Sequence, residues 1–119
     1  MGEVIAKAAE EARDDERLDA VFHALSNRTR RALLKSLADG PARVSELAEP
    51  HGMSVAAISK HLFVLERASL ISRSRSGHVQ SCVLEPAAMA TADAWLADYR
   101  AFWDDKLDRF ASFIEEPKG

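Results

Sequence analysis

The sequence predicts a mainly α fold with one small β-hairpin, on three observations. Apolar residues recur at helical spacing in several separate segments. Between Val44 and Leu65 a short helix, a turn containing Pro50 and Gly52, and a second helix follow one another. After them, residues 70–84 read as two strands around Gly77. Helix, turn, helix and hairpin in that order describe a winged helix-turn-helix.

Each element has its own signal. Residues 1–13 are rich in Ala and Glu and read as a frayed helix or a flexible arm. The winged domain proper is expected over residues 14–85, and a C-terminal dimerisation helix over residues 86–119. From Asp14 or Asp15 a helix starts with acids suited to its positive end. Leu18, Val21, Phe22 and Leu25 then fall on one face. His23 in this segment suggests no chemistry. Ser26 or Asn27 caps the next helix, whose apolar side is Leu33, Leu34 and Leu37, and Gly40-Pro41 ends it. Arg28, Thr29, Arg30 and Arg31 gather at its start. Cations there oppose the helix macrodipole, and an outside anion would offset that. Thr29 and Arg30 are therefore expected to meet phosphate, the alternative being a solvated basic face.

Leu47 and Ala48 give the next short helix a small apolar face, and Pro50 should stop it, since proline donates no backbone hydrogen bond. Gly52 can turn the chain through the left-handed region. Ser54 is a good N-cap for a second helix, in which Ile58, Leu62 and Leu65 form the buried stripe. The opposite face shows Ala56, Ser59, Lys60 and Phe63, short-chained and polar enough to enter a groove. Leu70–Ser74 reads as a strand, Arg75–His78 as the turn and Val79–Leu84 as the return strand, with Cys82 and Leu84 facing inward. Arg73, Arg75 and His78 sit at or near the tip with no acid beside them in sequence, a cationic hairpin fit for backbone contact.

Pro86 starts the last helix, which should run to about Ile114. Six of the eight aromatic residues lie in 95–113. Burial is worth roughly 25 cal/mol per Å², so leaving those rings in water would be costly. A second copy of the chain is the economical cover, with Leu18, Phe22, Trp95, Tyr99, Phe102, Trp103 and Phe110 expected at a two-fold dimer interface.

Composition bounds the rest. A chain of 119 residues, 47% hydrophobic and 29% charged, is one ordinary globular domain. No apolar run approaches the ~20 residues of a membrane span, and the N-terminus has no signal-peptide core. A single cysteine excludes an intrachain disulfide and fits a cytoplasmic location. The net charge of −3 conceals a segregated field. Residues 1–27 hold three basic and seven acidic side chains, residues 28–81 nine and four, and residues 82–119 four and eight. A basic middle between acidic ends is compatible with nucleic acid, because exposed charges beyond about 10 Å are largely screened. Neither a nucleophile triad, a Gly-rich phosphate loop nor a Cys-x-x-Cys pair is present, so no enzymatic chemistry is expected.

The stretch MSVAAISKHLFVLERASLISRSRSGH (residues 53–78) resembles the recognition helix and wing of the arsenic-repressor (ArsR) family of winged helix-turn-helix regulators. The family's Ser-x-His-Leu-x-x-Leu signature is matched by Ser59, His61, Leu62 and Leu65. LSNRTRRALL (residues 25–34) is similar to the start of the family's preceding helix, with Arg28 where many members carry Pro. AWLADYRAFWDDKLDRF (residues 94–110) resembles the C-terminal helix of a metal-free subgroup. The resemblance implies a dimeric regulator of double-stranded DNA, and it gives His61 a role as donor to phosphate or to a nearby backbone group, a half-buried structural histidine being the alternative. Family metal sites use Cys-x-Cys in the helix before the turn or Asp/His pairs in the last helix. Here the first location reads Val44-Ser45-Glu46-Leu47-Ala48-Glu49, and the second has aspartates but no histidine, so no metal or other cofactor is expected. The expected DNA-binding set is the helix from Ser54, with Val55, Ala56, Ser59 and Lys60 toward bases, and Arg73, Arg75 and His78 on the backbone. Such a dimer would be a sequence-specific regulator, most simply a repressor, on a pseudopalindromic operator, with its effector unknown. The alternative is a winged-helix interaction module that binds no DNA.

Overall fold

The computed structural model describes residues 1–115. Its elements are α1 (Gly2–Leu25), α2 (Arg28–Ala38), β1 (Ala42–Arg43), α3 (Val44–Ala48), a 3-10 turn (Glu49–His51), α4 (Val55–Arg67), β2 (Ile71–Ser76), β3 (Val79–Leu84) and α5 (Pro86–Glu115). The last residues of the expected dimerisation helix, 116–119, lie outside the described residues.

The core forms where the apolar stripes of α1 to α4 converge. Leu33 and Leu37 of α2, Ile58, Leu62 and Leu65 of α4, and Leu70 before β2 are at most 2% exposed. Burying each such side chain is worth about 1.5–3 kcal/mol, which is what holds the short α3 and its turn in place. Leu47 and Ala48 are buried as their spacing predicts. The chain then passes through Pro50 in the 3-10 turn to Gly52, whose φ of 60° carries it out of the helix direction. Asn27, not Ser26, caps α2: its side-chain oxygen accepts from the amides of Thr29 (2.8 Å) and Arg30 (3.2 Å). Ser26 instead donates to the His23 carbonyl.

Helix α1 starts at Gly2, so residues 2–13 are helical, the helix alternative of the two expected, although every residue through Arg17 is exposed. Ala, Glu and Lys favour helix without any packing partner, and no proline interrupts them. The sheet also has a third strand. Its order is β1-β3-β2, all antiparallel, with Ala42 opposite Cys82 and Arg43 opposite Ser81. The hairpin turn is tighter than expected. Ser76 pairs with Val79, leaving Gly77 (φ 62°) and His78 as the turn. Cys82 is buried and Leu84 packs against the core, as their period-two placement predicts.

Helix α5 docks by Ala88, Met89 and the buried Ala92, then extends away. Its rings pack on one another: Trp95 meets Phe22 edge-on at 5.6 Å, Tyr99 stacks on Trp95 at 5.0 Å, and Trp103 meets Tyr99 edge-on at 5.9 Å. The result is a flat molecule of 71 × 50 × 21 Å. Among the described residues no helix is long and apolar enough to cross a membrane.

Candidate nucleic-acid interface

Helix α4 is built to show one face. Ser54 opens it by accepting from the Ala57 amide at 3.1 Å. Ile58, Leu62 and Leu65 anchor the inner side without residual exposure. That orientation leaves Val55, Ala56 and Lys60 exposed and Ser59 half-buried on the outer side. Phe63 continues this face one turn on, 53% exposed, with the Arg67 guanidinium 5.8 Å from its ring centre. The outer surface of the first two turns has small side chains and one long cation, so it can approach base edges closely.

The wing stands beside this face. Arg75 and His78 are exposed at its tip, and Arg75 donates through Nε to the Gly77 carbonyl at 3.1 Å, which holds its stem along the turn. Between wing and helix lies a cleft of about 280 Å³, bordered by Arg43, Ser45, Val55, His78 and Gln80. Arg43 was not anticipated. It sits at the start of α3 only because β1 pairs with β3, a strand of two residues that leaves no periodic trace in the sequence. The Glu46 carboxylate accepts from the Arg43 amide (3.1 Å) and its Nε (3.0 Å). The backbone hydrogen bond first, then the guanidinium, hold Glu46 below the usual carboxylate range.

Three expected cationic contacts are placed otherwise. Arg30 does not reach outward: it is 8% exposed, its Nε donates to the Ala24 carbonyl at 2.8 Å and its Nη2 to the His23 carbonyl at 3.0 Å. Arg31 likewise donates to the Leu25 carbonyl at 2.8 Å. The start of α2 thus abuts the end of α1, and the carbonyl end of α1 supplies the negative pole expected of an outside anion. Arg73 is not at the tip either. Its Nε lies 3.8 Å from the Glu66 carboxylate of α4, and its Nη1 is buried without a hydrogen-bond partner among the described residues. The neighbouring strand places Cys82 opposite it. Burial pushes the Cys82 thiol above its ordinary range, the Arg73 charge drawing it partly back, which disfavours the thiolate. His61 is half-buried with Nδ1 3.3 Å from Arg30 Nη1. Its pKa is lowered by desolvation, then by the charges of Arg30 and His51. Thr29 is half-buried beside its cap. Ser54, Val55, Ala56, Ser59, Lys60, Arg75 and His78 are thus brought to one surface, while Arg30, His61 and Arg73 lie behind it. Among the described residues no three His, Cys, Asp or Glu side chains come together in a way that could hold a metal ion.

Residues 27–73 match the family described as bacterial regulatory protein, arsR family. The HTH-type transcriptional regulator Rv2034 of Mycobacterium tuberculosis is 36% identical over 97 residues, covering 82% of this chain and 88% of that protein. The transcriptional repressor SdpR of Bacillus subtilis is 30% identical over 90 residues, covering 76% of this chain and all of that protein. Among solved structures, the ArsR family transcriptional regulator RHA00566 superposes with a TM-score of 0.71 at 39% identity, over 76% of this chain and 93% of that one. The homodimeric winged helix-turn-helix DNA-binding domain of Mb0332 from Mycobacterium bovis shares the fold, with a TM-score of 0.59 at 23% identity over 91% of this chain and 94% of that one. On this fold and these relatives, the chain belongs to the arsR family of bacterial regulatory proteins, a DNA-binding transcriptional regulator and not an enzyme.

Proposed function

We propose that the protein is a cytoplasmic homodimeric repressor that binds a pseudopalindromic operator. The observation that carries the reading is the placement of a Ser54-capped helix with a small exposed front beside a hairpin that presents Arg75 and His78. In this reading Val55 and Ala56 touch thymine methyls, Lys60 bonds guanine, Ser59 adds a short polar contact, and Arg75, His78 and Thr29 meet the backbone. Dimerisation is supported by the terminal helices: Trp95, Tyr99, Phe102, Trp103 and Phe110 are each 43–61% exposed here, and Phe22 meets Trp95, with Leu18 one turn earlier on α1. The relative from Mycobacterium bovis is described as homodimeric and the one from Bacillus subtilis as a repressor. Two-fold symmetry sets the half-sites about one helical turn, roughly 10 bp, apart.

Gel-shift titration against a duplex selected from random sequence by the wild-type protein tests this. Lys60→Ala should cost about 1–3 kcal/mol of specific binding and leave nonspecific binding nearly unchanged. Arg75→Ala should weaken both alike and flatten the salt slope by about one. Wild-type affinity in both variants removes this docking. Absence of any salt-dependent DNA binding by the wild-type protein favours an interaction module instead.

A further inference from the structure

Among the described residues Arg30, 8% exposed, is the most deeply buried charged residue, and the proposed interface makes no use of it. All three of its guanidinium nitrogens are engaged. Nε and Nη2 take the Ala24 and His23 carbonyls of α1, and Nη1 faces His61 of α4. Those carbonyls belong to the last turn of α1, where they lack the usual i+4 helical donor; the His23 carbonyl also accepts from Ser26. Phe22 immediately before them meets Trp95 of α5. His61 immediately follows Lys60 of the reading face and precedes the fully buried Leu62.

We propose that Arg30 is a positioning residue for DNA recognition, its guanidinium fixing the angle of α4 against the end of α1, so that the packing of the α1–α5 layer is felt at Lys60 and Ser59 through the Arg30–His61 contact. The inference rests on the operator-binding reading. Arginine only donates hydrogen bonds, so the contact requires a lone pair on His61 Nδ1 and the proton on Nε2. A protonated His61 would set an imidazolium against a guanidinium at 3.3 Å, with no acceptor between them. The other titratable group facing His61 is His51 of the 3-10 turn, which adds to the repulsion when charged. Lowering the pH through the histidine range therefore opens the joint, and the polar link from α4 through Arg30 to the end of α1 loosens while the apolar anchors of α4 stay buried.

Binding to the selected duplex, measured by fluorescence anisotropy between pH 8 and 5.5, tests the joint. Arg30→Lys keeps the charge but cannot span three acceptors, and should weaken specific binding roughly tenfold, the worth of one charge-assisted hydrogen bond. His61→Asn keeps an acceptor, Oδ1, at the place of Nδ1. It should bind like wild type at pH 8 and hold its affinity in acid, so the ratio of wild-type to variant affinity falls as pH drops. Nitrogen-15 correlation spectra of the imidazole in the wild-type protein should show His61 as the Nε2–H tautomer at neutral pH. If Arg30→Lys proves unfolded, the last two measurements still decide. A flat ratio across the pH range, an Nδ1–H tautomer, or a folded Arg30→Lys with wild-type affinity overturns the proposal. Failure of the wild-type protein to bind any duplex overturns the operator-binding reading instead.

Discussion

Helices α4 and α5 both carry a broad apolar stripe, and the two stripes meet opposite fates. Ile58, Leu62 and Leu65 of α4 have no exposure left, whereas Trp95, Phe110 and Phe113 of α5 keep 43%, 61% and 75% of theirs. The chain completes the first surface by itself and leaves the second open. Helical periodicity states that a face asks to be covered. It does not state whether the cover lies in the same chain, and only the folded geometry separates the two cases.

The largest effect that would sharpen this contrast is in the helix-turn-helix. Leu62→Ala removes a side chain with nowhere to relax and should cost about 2–5 kcal/mol in urea unfolding, at any protein concentration. Next is Trp103→Glu, which puts a charge into the open stripe. It should cost the proposed dimer about 2 kcal/mol or more and appear as monomer in sedimentation. The isolated winged domain should keep its signature in circular dichroism. An unaltered dimer would mean that the stripe is covered in some other way.

A smaller effect comes from the end of α4. Ser69 sits at φ 58°, where its amide closes onto Glu66 and the Leu70 amide onto Leu65. A side chain in that left-handed position is strained, and glycine relieves it. Ser69→Gly should raise stability by about 0.5–1 kcal/mol, after the added backbone freedom of glycine is offset. The dimer constant should not move. The smallest effect is a pH slope. Because the folded state lowers the pKa of His61, the unfolded chain binds the proton more readily. The associated stability is complete above the ordinary histidine value of about 6.5 and is lost as pH falls below it. His61→Gln should remove that slope in thermal unfolding between pH 7 and 5.

The stripes of α2, α4 and α5, the Ser54 cap and the inward Cys82 were all legible, because each is set by spacing within one element. What escaped depends on partners distant in sequence. Arg30 looked like a phosphate ligand since its neighbours are basic, but its acceptors are two carbonyls in the last turn of the preceding helix and a ring on α4. Arg73 looked unopposed because Glu66 is on another element. Strand β1 has too few residues to alternate visibly, so Arg43 was missed with it. The first turns of α1 follow propensity alone, and propensity without a buried face marks no clear starting residue.

The Arg73–Glu66 pair has a mechanical meaning. It ties β2 of the hairpin to the last turn of α4, so the two parts proposed to contact the duplex keep one fixed span. A rigid caliper of this kind does not adapt to its object, and the strain of any mismatch falls on the nucleic acid. Operators with pliable pyrimidine–purine steps between the touched positions should then be preferred over stiff A-tracts of equal contact, by the bending cost alone. Competition between two such duplexes, repeated with Glu66→Gln to loosen the tie, would show whether the preference narrows.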